Sequence, residues 1–295
     1  MERLVFNDVH VHVSTFSKTH ETYRKFMNLN ADFKENWKLI ESSPDYLIER
    51  MDKEGVSKMV LINYVAQDVI GYDLSVNEFV SNYCKDRRDR LIPFGGVDLK
   101  LEVPEFVKNV EYSYSKLEIS GFKVHPPHQL IYPNQYKEEF GSLKLPHLEK
   151  LYEFATDHRI PIMFHTGTSM FPKAGIKYGD PIYLDDVMND FPRLRVLIAH
   201  GGRPFTFWTE TTFFLLRRHD NLYLDISGIP PSRLLDYFPR ITEISKKVIF
   251  GSDWPSPGVK GLRANAMEIL NLQLPDDIKT MILRTNFESF FGHSK

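Results

Sequence analysis

The chain has 295 residues, 42% apolar and 26% charged, and its 37 basic and 39 acidic side chains leave a formal net charge of −2. That balance excludes the basic footprint of a nucleic-acid binder, while the length allows a sizeable core in one large domain or two small ones. One cysteine, Cys84, excludes an intrachain disulfide framework and a cysteine-built zinc site.

The opening MERLVFNDVHVHV has no secretory-leader pattern, and no apolar run approaches the ~20 residues that span a bilayer, so a cytoplasmic enzyme is the default expectation. Strand and helix patterns then alternate to the end. Short, β-branched-rich strand candidates bounded by turn residues start at Leu4 (LVFNDVHVHV), Val56 (VSKMVLINY), Arg90 (RLIPFGGVDL) and Ile119 (ISGFKVHP). Four more start at Arg159 (RIPIMFHTG), Leu194 (LRVLIAHGG), Asn221 (NLYLDISG) and Lys247 (KVIFGSDWP). Helical stretches fall between them. Ser43 and Pro44 make a cap-and-proline start for SPDYLIERMDKEG, which stops at Gly55. Cys84 falls in SVNEFVSNYCKDRRDR, where it reads as a packed thiol. Further helices are expected from Leu145, Pro204 and Ser232, with a final pair over roughly Leu262 to Leu272 and Pro275 to Phe291. Eight strand–helix units predict a (β/α)8 TIM barrel, with residues 1–295 as a single domain.

Two connections are long, Ser14 to Ser42 after the first strand and Pro126 to Leu145 after the fourth. The first carries Phe16, Tyr23, Phe26, Phe33 and Trp37, and the second Tyr132, Tyr136 and Phe140. Both follow strand C-terminal ends, where barrel active sites lie. A lid or substrate wall is expected, with an extra helical layer on the barrel rim as the alternative.

Side chains alternate along a strand, so Asp8, His10 and His12 share one face and Val9, Val11 and Val13 the other. The valines are expected against the helices and the polar set at the barrel mouth. Two neighbouring imidazoles are costly to bury unless something binds them, and neutral imidazole is a good ligand for a divalent ion. Alone, H-x-H is a weak signal. His165, His200 and Asp253 strengthen it, because they end the fifth, sixth and eighth strands and are each followed by turn residues. Lys123 and His125 share a face at the end of the fourth strand, where they would contact substrate or simply line the rim.

The ordered set D-V-H-V-H, F-H-T-G, A-H-G-G and G-S-D-W-P resembles the amidohydrolase superfamily. It is most similar to the amidohydrolase-related branch of aminocarboxymuconate semialdehyde decarboxylase, resorcylate decarboxylases and related hydrolases and hydratases. The closing R-T-N-F-E-S-F-F-G, Arg284 to Gly292, is similar to that branch's terminal helix. The resemblance implies one divalent ion held by His10, His12, His165 and Asp253, with His200 as a nearby acid/base. Zinc comes first, with manganese and iron as alternatives. Other branches hold two ions bridged by a carbamylated lysine after the fourth strand, a role Lys123 would take, with His200 as a further ligand.

Such a site supports hydrolysis of a lactone, amide or ester, with Asp253 and His200 as the catalytic pair. The alternative is non-oxidative decarboxylation, with a hydratase or a non-enzymatic metal-binding barrel behind it. Lys123, His125 and Arg203 are the expected substrate contacts. A small molecule is the expected partner, without nucleic acid or membrane, and homo-oligomer formation is left open.

Overall fold

A computed structural model describes residues 4–27, 31–137, 143–256 and 258–292, without the side chains of 26–36. Its strands are β1 (Phe6–Val11), β2 (Val56–Ile62), β3 (Leu91–Gly96), β4 (Gly121–Val124), β5 (Ile162–His165), β6 (Val196–Ala199), β7 (Leu222–Asp225) and β8 (Val248–Ile249). They pair in sequence order as one parallel sheet of eight. Backbone bonds return the chain end to β1, from Val9 N–H to Phe250 O (3.0 Å), Asp253 N–H to His10 O (2.9 Å) and His12 N–H to Trp254 O (2.8 Å). The fold is a (β/α)8 TIM barrel.

The apolar side chains of the strands divide between two compartments. Val9, Val60, Phe94, Met163, Leu197 and Ile249 fill the interior, where Phe287 and Phe290 of the last helix (Asn286–Gly292) join them. Val11, Leu61, Phe122, Val124, Phe164 and Ile198 belong to the larger cluster between sheet and helices. Phe122 and Val124 therefore point outward, which turns Lys123 and His125 inward. Strict alternation fails on β1. Val9 lies inside, although the sequence pattern sets it beside Val11 and Val13 against the helices. Pairing with β2 is irregular between Phe6 and Asp8 and again between Asp8 and Val11. A bulge of this kind adds a residue and re-aims side chains.

The cap expected before the helix Pro44–Glu54 is present: Ser43 accepts from Tyr46 N–H at 3.3 Å, and Gly55 ends the helix at φ 87°. The Cys84 thiol is buried, and burial raises its pKa to about 12. The long helix expected from Ser232 is instead a short one, Leu234–Tyr237, followed by a 3-10 segment, Ile241–Lys247. Pro239 accounts for the break, since it cannot donate and it restricts Phe238 before it. Among the described residues no helix is long and apolar enough to cross a membrane.

Candidate active site

The C-terminal ends of the strands open into a cavity of about 370 Å³. Its floor carries His10, His12, Lys123, His165, His200 and Asp253, and its walls include Tyr23, Trp37, Tyr64, Tyr72 and Phe171. Backbone conformation marks two of these positions. His200 (φ 68°) and Asp253 (φ 63°) lie in the left-handed region, which costs a side-chain-bearing residue about 1–3 kcal/mol. Strain held at the end of β6 and in the segment after β8 is characteristic of functional positions.

Three donor atoms converge on the floor. His10 Nε2 lies 3.2 Å from His12 Nε2, and Asp253 Oδ1 lies 3.6 Å from the first and 3.2 Å from the second. The partners behind the rings settle which nitrogens carry protons. His12 Nδ1 faces the Ile62 carbonyl at 3.2 Å, which only accepts, so Nδ1 donates and Nε2 keeps its lone pair. His10 Nδ1 faces Asp225 Oδ2 at 2.5 Å. Asp225 already accepts from Ser227 N–H and Ser227 Oγ–H, both at 2.8 Å, so His10 likewise donates from Nδ1. Burial, reinforced by the Lys123 charge, holds His10 neutral with a pKa well below the ordinary value. Two lone pairs and a carboxylate oxygen thus point at one another. A single proton can bridge only one of these contacts, whereas a divalent ion serves all three. The donor set fits such an ion, and these are the described residues grouped tightly enough to hold one.

The remaining expected residues surround this group. His165 lines the same cavity, but its Nε2 faces the Thr168 carbonyl at 3.3 Å and its ring packs edge-on to His200 at 4.6 Å. It is not brought into the close group. His200 Nδ1 donates to the Ser227 carbonyl at 2.8 Å, which leaves Nε2 as a bare acceptor. Burial, with His10 and Lys123 adding to it, keeps this ring neutral as well. Lys123 is buried, and its Nζ has no hydrogen-bond partner among the described residues. Burial lowers its pKa to about 8, opposed by Asp225 and Asp253. Arg203 lines the cavity beside His200. Asp8 is a correction to the sequence reading. It does not reach the mouth but lies beneath it, fully buried, its Oδ1 accepting from His10 N–H and Ser252 N–H at 3.0 Å each. The same bulge on β1 accounts for its displacement.

The amidohydrolase family model matches residues 8–292. The chain belongs to the amidohydrolase family. No curated protein matches the sequence. Among solved structures, an uncharacterized TIM-barrel protein from Bordetella bronchiseptica shares 21% identity at a TM-score of 0.74, covering 99% of both chains. A probable 2-pyrone-4,6-dicarboxylic acid hydrolase from Acinetobacter baumannii shares 17% at 0.64, over 98% of this chain and all of the other (100%). The 5-carboxyvanillate decarboxylase of Novosphingobium aromaticivorans, solved with manganese and 4-hydroxy-3-methoxy-5-nitrobenzoic acid, shares 14% at 0.65, covering 98% and 96%. At these identities the likeness concerns the fold.

This amidohydrolase also has site residues that the sequence reading missed. Asp225 and Ser227 stand behind His10, and the signal for Asp225 was available, since it ends β7 as His165 ends β5. His128 is a second omission. It stacks on His125 at 3.6 Å, and His125 stacks in turn on His165 at 3.8 Å. His128 also contacts Tyr64 Oη (3.1 Å) and Ser169 Oγ (2.7 Å), which builds one cavity wall. Both long connections reach the cavity, the first through Tyr23 and Trp37 and the second through His128. The side chains of Phe26 and Phe33, and Phe140, lie outside the described residues. Tyr132 and Tyr136 point elsewhere, Tyr132 against Tyr178 and Tyr183, and Tyr136 into the outer apolar cluster against Tyr152 and Phe191.

Proposed function

We propose that this amidohydrolase is a metal-dependent hydrolase of a small carboxylate-bearing lactone, amide or ester. The observation that carries the reading is the proton inventory of the cavity. His200 presents a bare Nε2, because its Nδ1 proton is committed to the Ser227 carbonyl. Asp253 is held well below the usual carboxylate range against the effect of burial. Both candidate acid/base groups therefore rest as acceptors. Hydrolysis begins by taking a proton from water, whereas protonating a carbon that loses carbon dioxide begins by giving one.

His10, His12 and Asp253 would hold the ion, and His165 would complete the expected set once its Nε2 leaves the Thr168 carbonyl. When bound, a divalent ion polarises a carbonyl oxygen and makes water acidic near neutral pH. His200 Nε2 accepts the proton of the attacking water and returns it to the leaving oxygen or nitrogen. Arg203 holds the substrate carboxylate, and the aromatic walls exclude bulk water around the reacting carbonyl. Lys123 stabilises negative charge on the floor from beneath, and His125 stiffens the His165 ring by stacking on it.

The test pairs metal analysis with two substrate panels, lactones or esters carrying a carboxylate and hydroxylated aromatic acids. Acid production with uptake of one water per turnover supports the hydrolase. Release of carbon dioxide without water uptake overturns it in favour of the lyase.

A further inference from the structure

Ser227 sits where β7 turns away from the barrel and belongs to no expected set of ligands or acid/base groups. It is fully buried. Besides its N–H bond to Asp225, its hydroxyl and carbonyl make four contacts. Its hydroxyl donates to Asp225 Oδ2 at 2.8 Å, the same oxygen that takes the His10 Nδ1 proton. Its Oγ lies 2.8 Å from His10 Nδ1 and 3.1 Å from His200 Nδ1. Its carbonyl accepts from His200 Nδ1 at 2.8 Å. The next residue, Gly228 (φ 67°), has no room for a side chain, since a Cβ there would stand 2.8 Å from His200 Nδ1 and 2.6 Å from Arg203 Nη2.

A hydroxyl has one proton and two lone pairs. Asp225 takes the proton, so the lone pairs are what Ser227 turns toward the two imidazoles. The hydroxyl acts on His10, directly and through Asp225, while the shorter contact to His200 comes from the carbonyl, 2.8 Å against 3.1 Å for the hydroxyl. We infer that Ser227 is a positioning residue that sets two rings at once, its hydroxyl aiming the His10 lone pair at the ion and its carbonyl holding His200 as a bare-Nε2 base. The inference rests on the reading that His10, His12 and Asp253 hold a divalent ion.

The two halves separate experimentally, because Ser227→Ala removes the hydroxyl and keeps the carbonyl. Zinc affinity is measured by competition with a chromophoric chelator on purified wild type, Ser227→Ala and Ser227→Thr. Partners behind a ligating histidine are worth about 10–100-fold in metal affinity. Ser227→Ala is expected to lose zinc affinity by that factor, while Ser227→Thr, which retains a hydroxyl, recovers most of it. Ring ¹⁵N shifts in the metal-free variant should still report His200 with its proton on Nδ1. Unchanged zinc affinity in Ser227→Ala overturns the inference, as does equal loss in both variants. Should the alanine variant not fold, the wild-type ¹⁵N shifts decide, since a proton on Nε2 of either His10 or His200 overturns it. A wild type that binds none of zinc, manganese and iron would instead overturn the metal-site reading, so the two failures are distinguishable.

Discussion

His200→Ala tests whether this residue is a base or a second-metal ligand. The substitution removes a buried ring that lines the cavity but is not one of the three residues whose donor atoms converge on the floor. It leaves the Ser227 carbonyl without its 2.8 Å donor, a local cost of about 1–3 kcal/mol unless water enters the space. The fold should survive, because the apolar layers of the barrel are untouched. A positioned acid/base contributes about 10²–10⁴ in rate, equivalent to about 2.7–5.5 kcal/mol in the barrier. Turnover is therefore expected to fall by that factor while bound metal stays near one ion per chain. The assay is metal per chain by elemental analysis beside kcat, on wild type, His200→Ala and Lys123→Ala. Two ions in the wild type falling to one in both variants would refute the reasoning and show a carbamylated Lys123 bridging a binuclear centre.

Asp8→Asn tests the charge beneath the site. Burial raises the Asp8 pKa from its ordinary 3.8 to about 7, against hydrogen bonds from Ser252 and His10. The folded state then holds a proton that the unfolded chain has released, so this group's contribution falls as pH rises from about 4 and is fully lost above about 7. In metal-free protein the melting temperature of Asp8→Asn relative to wild type should climb between pH 5 and pH 8, reflecting up to about 1.4 kcal/mol per pH unit. Parallel curves would sink the assignment. Arg203→Met tests the carboxylate contact. Losing a charge-assisted hydrogen bond of about 1.5–3 kcal/mol should cut kcat/KM about 10–100-fold for acidic substrates and far less for neutral analogues. An equal loss on both classes refutes that role.

The barrel and most of its floor were legible because both rest on short-range rules. Turn residues bound each strand, and a polar residue just before such a turn in a parallel barrel faces the mouth, which is how His165, His200 and Asp253 identify themselves. The rule failed where the backbone departs from period two. On β1 the irregular pairing with β2 turns Val9 into the interior and keeps Asp8 below the cavity, and nothing in F-N-D-V-H-V announces a bulge. Partner identity was the other illegible part. Asp225 stands 215 residues from His10 along the chain, and the contact exists because β8 and the segment after it bring β7 and β1 together. Gly251 permits the approach, since a Cβ there would collide with Asp225 Oδ1 and lie 2.9 Å from His10 Cβ. An aspartate, a serine and a glycine around a strand end read as ordinary turn formers. They acquire chemical meaning only when closure of the barrel sets them against His10 and His200. Residues that ligate or transfer protons are restricted in type and stand out in a sequence, whereas those that orient them need only offer a lone pair or a proton in the right place.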